Sequence, residues 1–316
     1  MASTDREIVV VTAASGKQNK FMIPILLQNP RFKLRLIVNS SSSVSRLQDT
    51  YSDEENVEVL QANLQDYNSC ASILKGATTV YHINPNHPKE AEIGINMVTA
   101  AVTEKKRPDS KFQHFVLSTV FCTQISKMLN HARKLKVEEY LIDRAAPNTG
   151  ALNWTIIQPG HLAEALVARL VTAMKENPGK DKVPFENQFD VEVPFSYLSL
   201  RDLGEASAKV VEERSKHYFA TYGLSSTHPM PYKDFIQQIG KKLNVEFDIT
   251  VLPHEKAVDA NCISAFRTTD VDQATRDGPE RLVLYYNKRG LLGNPNICSW
   301  LLGREPTKPE DMVDNV

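Results

Sequence analysis

An apolar strand that runs straight into a loop of small residues and then into a helix constrains this chain more than any other feature. Glu7-Ile8-Val9-Val10-Val11 leads into Thr12-Ala13-Ala14-Ser15-Gly16-Lys17-Gln18-Asn19, and an apolar-periodic segment follows over residues 21–27. In doubly wound α/β domains this order of buried strand, tight turn and helix builds a phosphate-binding loop from backbone N–H groups. Three glycines are expected in such a loop, and only Gly16 is present. Ala13 and Asn19 hold the first and third places, where a side chain restricts the approach of the backbone to a pyrophosphate.

The alternation that starts here continues. Short β-rich runs at residues 7–11, 33–38, 57–61, 79–83, 113–118 and 154–158 are separated by helical patterns after Gly16 and over 67–74, 90–105 and 128–145. Six strands with crossovers predict an α/β fold of Rossmann type, a doubly wound parallel sheet over residues 1–160. A smaller, mixed α/β C-terminal extension, residues 161–316, is predicted to supply sheet-completing segments and a substrate pocket. Its helices are expected over 162–175, 201–213 and 232–243, and its short strands near 191–198, 218–222 and 246–251. Apolar residues of the stretches 183–197 and 252–266, among them Phe185, Phe189, Phe195 and Tyr197, are expected to wall an enclosed cavity.

In an open parallel sheet the ligand crevice lies at the carboxyl ends of the strands. Six polar or turn-forming clusters fall there: Ser15-Gly16-Lys17, Asn39-Ser40-Ser41, Asn63, Asn84-Pro85, Ser118 and Pro159-Gly160. Their convergence on one edge predicts a binding site better than any single motif does.

Composition removes several classes of partner. With 37 basic and 38 acidic side chains the net charge is −1, whereas nucleic acid and anionic membranes demand clustered positive charge. The one basic run, Lys105-Lys106-Arg107, sits between Glu104 and Asp109 and reads as a solvated stretch. Cys70, Cys122, Cys262 and Cys298 stand far apart, as expected of reduced thiols in a cytoplasmic protein. The eight histidines adopt no ligand spacing, so no metal is expected. Residues 1–7 lack an apolar signal region and no later run reaches membrane-spanning length, so no membrane association is expected either.

Further motifs follow in order: Asn63-Leu64-x-Asp66, Glu92-x-Gly94 before Ala100-Ala101, His114-Phe115-Val116-x-Ser118, Lys134-x-x-Val137-Glu138-Glu139-Tyr140-Leu141, Trp154-Thr155-Ile156-Ile157-Gln158-Pro159-Gly160, Asp202-Leu203-Gly204, and Trp300-Leu301-Leu302-Gly303-Arg304-Glu305-Pro306 near the C-terminus. Together with the loop Ala13-x-x-Gly16-Lys17-Gln18 they resemble the NmrA-like family of atypical short-chain dehydrogenases, its fungal members in particular, over nearly the whole chain. The resemblance implies NADP (NADPH) as cofactor and reduction of a hydrophobic small molecule, a fungal secondary-metabolite intermediate. It also implies contacts to that cofactor from Thr12, Ala14, Ser15, Gly16, Lys17 and Gln18 in the first loop, and from Asn39, Ser40, Ser41 and Arg46 after the second strand. Asn63 and Leu64, Asn84 and Pro85, Lys134, and Pro159 and Gly160 complete the expected set.

Three positions depart from the family pattern. Only Gly16 survives of Gly-x-x-Gly-x-x-Gly, an arginine that grips a 2′-phosphate is replaced by Asn39, and an aspartate near the adenine is replaced by Asn63. No carboxylate ends the second strand, which favours NADP over NAD, because an acid there would take the ribose hydroxyls and repel a phosphate.

In the wider dehydrogenase group, Ser, Tyr and Lys divide the chemistry, with Tyr four residues before Lys on one helix face. Lys134 takes the lysine place here and Asn130 the tyrosine place, and an amide supplies no proton. His131 is the nearest titratable substitute, and Ser118 is the expected serine. Each has a plainer alternative: a surface charge for Lys134, a packing role for His131, a helix cap for Ser118. Three functions stay open: an NADP-dependent reductase, a non-redox cyclase or isomerase whose cofactor is structural or lost, and a dinucleotide-binding redox-sensing regulator.

Overall fold

In a computed structural model, which describes residues 6–85 and 87–316, the long apolar runs become the centre of a sheet. β1 (Glu7–Val11), β2 (Phe32–Val38), β3 (Val57–Gln61), β4 (Ala77–Ile83), β5 (His114–Ser118) and β6 (Trp154–Pro159) alternate with α1 (Met22–Leu27), α2 (Ser41–Thr50), α3 (Tyr67–Leu74), α4 (Glu90–Lys106) and α5 (Leu129–Asp143). Then come β7 (His161–Leu162), α6 (Glu164–Glu176), β8 (Lys182–Asn187), β9 (Pro194–Phe195), β10 (Tyr197–Leu198), α7 (Leu200–Glu213), β11 (Ala220–Leu224), β12 (Met230–Pro231), α8 (Tyr232–Leu243) and β13 (Glu246–Val251). Three helices, α9 (His254–Phe266), α10 (Gln273–Arg289) and α11 (Asn296–Leu302), follow.

The seven-stranded sheet has the order β11-β6-β5-β4-β1-β2-β3. β1 pairs in parallel with both β2 and β4, so the order reverses beside it. β2 with β3, β4 with β5 and β5 with β6 are likewise parallel. Strands covered on both faces must be apolar throughout, and Val9, Val10, Val11 and all five residues of β5 are buried. The seventh strand joins next to β6, where the Phe219 N–H donates to the Trp154 carbonyl at 2.7 Å and the Gly160 N–H to the Leu224 carbonyl at 2.9 Å. This Rossmann-type arrangement is the expected fold class.

Helix ends follow from the residues at them. Ser40 caps α2 by accepting from the Ser43 N–H, and Asp66 caps α3 by accepting from Asn68 and Ser69. α4 begins with Glu90 and Glu92 and ends with Lys105 and Lys106, matching the helix dipole at both ends.

The chain divides into two compact units. The first runs through Val120 and also takes Arg133–Gln158 and Leu203–Tyr222; the second consists of Phe121–Ala132, Pro159–Asp202 and Gly223–Val316. The second has its own core. α8 buries Tyr232, Phe235, Ile236 and Ile239, a helical stripe, against Phe185, Phe189, Phe195, Tyr197 and Tyr286. The strand expected over 191–198 is broken into β9 and β10, because Pro194 has no N–H to offer a ladder and Ser196 turns its own N–H to the Leu291 carbonyl. Phe185, Phe189, Phe195 and Tyr197 are at most 5% exposed and pack ring against ring within this core.

Candidate functional site

The loop after β1 departs from ordinary backbone at Ala13, whose φ of +50° is the left-handed conformation that glycine adopts without cost. The turn closes through the Gly16 N–H, which donates to the Ala13 carbonyl at 2.8 Å. A Cβ on Gly16 would lie 3.0 Å from that oxygen, which accounts for the one glycine kept. Asn19, fully buried, donates its amide to the carbonyls of Thr12 and Ala13, each at 3.0 Å. Its side chain thus fastens the loop through carbonyl groups. The N–H groups of Ser15, Lys17 and Gln18 have no acceptor among the described residues.

Beside this loop the first unit holds a cavity of about 480 Å³. Its walls are Ala13, Ser15 and Gly16; Ile37, Val38 and Asn39 at the end of β2; Gln61 to Gln65 at the end of β3; and Ile83, Pro85, His87 and Ile93. No acidic side chain and no Lys or Arg is among them. The substitutions at the glycine places therefore leave a groove: Ala13 adds a methyl to its wall, and Asn19 is turned to the loop carbonyls.

Of the residues expected to touch a cofactor, Ser15, Gly16, Asn39, Asn63, Leu64 and Pro85 line this cavity. Lys17, Gln18, Ser41 and Arg46 do not, and Arg46 is exposed on α2. Ser40 is committed to its capping bond. The N–H of Ala14 is spent on the Ile37 carbonyl. Pro159 and Gly160 belong to the second unit, where the Pro159 carbonyl accepts from the Phe121 N–H at 2.8 Å. Gln61, Ala62, Gln65, Ile83, His87 and Ile93 were not singled out by sequence; most of them flank the strand ends that were.

Thr12 and Asn84 act from behind the wall. Thr12 accepts from the Ile83 N–H at 3.0 Å and donates to His82 Nδ1 at 3.0 Å; His82 Nε2 donates to Asn84 Oδ1 at 2.8 Å. Burial pushes the His82 imidazole down to about 4, so this neutral tautomer persists at pH 7. Asn84 is thereby fixed with its Nδ2 buried and without an acceptor. Gly94 of α4 makes room for it: a Cβ there would lie 2.8 Å from Asn84 Oδ1 and 2.6 Å from Val137.

Lys134, expected to be the central functional residue, is buried on α5 and forms an ion pair with Glu90, the first residue of α4. Sequence reasoning missed Glu90; the only signal was a charge at a helix N-terminus, which surface helices share. One turn on from Lys134, Glu138 accepts from the Thr119 hydroxyl at 2.5 Å and from Gln158 at 2.9 and 3.1 Å. Ser118, buried at the end of β5, faces the Tyr81 hydroxyl, which is also bonded to Ser207 at 3.1 Å. His131 lies in the second unit, fully buried, with Nδ1 donating to the Cys122 carbonyl at 2.9 Å and its ring edge-on to Tyr286. Asn130, at the tyrosine place, keeps its Oδ1 buried without a donor.

The sequence matches the NmrA-like family over residues 5–270. The chain belongs to the NmrA-like family. No curated protein matches it by sequence. Solved structures share its fold. An NADPH-dependent quinone oxidoreductase from Escherichia coli, complexed with NADPH, superposes with a TM-score of 0.75 at 17% identity, covering 97% of this chain and 98% of that one. Triphenylmethane reductase from Citrobacter sp., complexed with NADP(H), gives 0.73 at 17% identity with the same coverage. NmrA, a negative transcriptional regulator, in complex with NADP gives 0.72 at 15% identity, covering 98% of this chain and 95% of that one. This NmrA-like chain thus shares its fold with two reductases and with a regulator. Among its described residues no helix is long and apolar enough to cross a membrane, and no group of His, Cys, Asp and Glu is arranged to hold a metal ion.

Proposed function

We propose that this NmrA-like protein binds NADP(H) and reduces a hydrophobic small molecule, an intermediate of fungal secondary metabolism. The observation that carries the reading is the cavity at the carboxyl ends of β1 to β4, walled by the Gly16 loop and free of acidic side chains. Open N–H groups of Ser15, Lys17 and Gln18 are suited to phosphate oxygens, and the apolar pair Ile37 and Ile93 to a flat base. Asn39, Ser41 and Arg46 are the groups available for a 2′-phosphate, and the lack of a carboxylate at the end of β2 supports NADP over NAD. NADP is also present in the solved relatives of similar fold.

When bound, NADPH would supply a hydride. In this reading Lys134 holds ligand hydroxyls and lends positive charge where charge develops, and Ser118 orients the substrate oxygen. His131 is the proposed acid–base group by its place three residues before Lys134. The C-terminal part, residues 161–316, is proposed to recognise the substrate.

A second reading, binding without turnover as a sensor or non-redox catalyst, is favoured by Asn130 in the tyrosine's place and by the commitment of Lys134 to Glu90. One experiment separates the two. Purified protein is titrated with NADPH and NADH by fluorescence, then mixed with a panel of enones, quinones and ketones. Binding of NADPH followed by its oxidation is expected; binding with no oxidation of NADPH across the panel supports the second reading, and no binding of either nucleotide removes both dinucleotide readings.

A further inference from the structure

The described residues include five buried carboxylates, and four of them take three or more donors. Glu104 accepts from the Gly76 N–H and twice from Arg107. Glu138 accepts three bonds from Thr119 and Gln158. Glu164 accepts three bonds on Oε1, from the Leu200 N–H, Ser199 and Asn315, while its Oε2 has none. Asp202 accepts four, from Ser226, Arg304 and the N–H and hydroxyl of Thr307. Glu90 is fully buried and takes one donor, Lys134; its Oε2 has none. A carboxylate buried for architecture is held by several donors that offset its desolvation, and Glu90 alone of the five has a single one.

The surroundings point the same way. Glu90 and Gly94 are four residues apart, on one face of α4, and Lys134 and Val137 three apart on α5. Gly94 packs on Val137 and Asn84, so the Asn84 amide lies against the turn of α4 that follows Glu90. Asn84 Nδ2, an unused buried donor, and Glu90 Oε2, an unused buried acceptor, thus share one neighbourhood. A hydroxyl is the kind of group that can accept from such a donor and donate to such an acceptor.

We infer that Glu90 is the positioning residue of this site: its carboxylate fixes the Lys134 side chain on the face of α4 that packs against Asn84, in the place where a ligand hydroxyl is received. The inference deepens the assignment of Lys134 as a ligand-holding group and rests on it. Burial raises the Glu90 carboxyl from its ordinary range, and Lys134, with Arg133 on the same helix, pulls it back. The other titratable groups of the neighbourhood are His82 on β4, His87 before α4 and Glu138 on α5.

The test reads Glu90 directly, in the full chain without nucleotide. In protein labelled with 13C at glutamate, the Glu90 side-chain carboxyl is assigned by Glu90→Gln and its titration is followed. Lys134→Met removes the opposite charge from a buried carboxyl, so the Glu90 midpoint is expected to rise by about one pH unit or more, a readout that survives if Glu90→Gln does not fold. Glu90→Asp, which keeps the charge on a shorter arm, is expected to retain NADPH affinity that Glu90→Gln loses. An unchanged Glu90 midpoint in Lys134→Met, or NADPH affinity in Glu90→Gln equal to that of the wild type, overturns the inference. If the Glu90 midpoint moves but the wild type binds no NADPH, the hold of Glu90 on Lys134 stands and the dinucleotide reading falls.

Discussion

The crevice of the first unit and the aromatic core of the second are built from similar residues arranged to opposite ends. Around Phe195 and Tyr232 the rings of His161, Phe189, Tyr197 and Tyr286 pack within about 5–6 Å of one another, and His161 Nε2 is bonded to the Tyr232 hydroxyl at 2.8 Å. Nearby, Asp202 gathers Ser226, Arg304 and Thr307 and so ties the C-terminal stretch down. At the strand ends of the first unit, by contrast, the loop N–H groups, the Asn84 amide and one oxygen of Glu90 lack protein partners. Aromatic packing and a carboxylate with four donors favour stability, whereas polar groups left open and fixed around a cavity favour a ligand. Substitutions at Asp202 and in the aromatic core should therefore act on folding, and those at the crevice on nucleotide binding.

The largest effect is expected for Asp202→Ala, which strands a guanidinium, a backbone N–H and two hydroxyls. A loss of about 3–5 kcal/mol is expected in urea unfolding, with NADPH affinity unchanged in the folded fraction. A comparable loss of affinity would break the contrast. Next come the buried histidines. Burial pushes His82 to about 4, His114 to about 3 and His161 to about 4, below the ordinary value of about 6.5. Since the folded values are depressed, the stability they contribute is complete above pH 6.5 and is lost as pH falls toward 4, by up to about 3 kcal/mol each. His82→Gln should flatten the fall of the urea midpoint between pH 6.5 and 4.5; an unaltered slope would mean that His82 is charged when folded.

Gly94→Ala is a smaller change that should mix the two kinds of effect. The added methyl meets Val137 at 2.6 Å and Asn84 at 2.8 Å, so about 1–3 kcal/mol of stability and the placement of the Asn84 amide are lost together. Stability lost with no change in NADPH affinity would show that Asn84 is not part of the site. The smallest effect is Ala13→Gly. Relief of the left-handed strain, about 1–2 kcal/mol, is offset in part by the greater freedom of glycine in the unfolded chain. A gain of less than about 1 kcal/mol in urea unfolding is expected.

The sheet was legible because parallel strands buried on both faces must be runs of apolar residues: β1, β3 and α3 have the predicted limits. α2 escaped because Ser41 to Ser45 reads as a polar loop, although Ser40 caps the helix and its Leu47 is buried. β8 alternates buried and exposed residues, but it needs β13, some sixty residues later, as its parallel partner, and no local pattern carries that pairing. At the site, strand-end residues such as Asn39, Asn63 and Pro85 followed from the topology. Glu90 did not, because an acid in the first turn of a helix has an ordinary electrostatic reason to be there, and only its burial against Lys134 sets it apart. Asn19 was taken as an obstacle because its side chain fills a glycine place, whereas its amide in fact secures the loop carbonyls.

β11 has a bearing on how the chain is made. The last strand of the central sheet is drawn from Ala220–Leu224, so a ribosome must deliver some sixty residues beyond β6 before that strand can acquire its outer neighbour. Until then the edge of β6 offers unpaired amides to any passing strand. A truncation ending near residue 160 would keep that exposure for good, and its natural fate is to precipitate rather than to serve as a nucleotide-binding fragment.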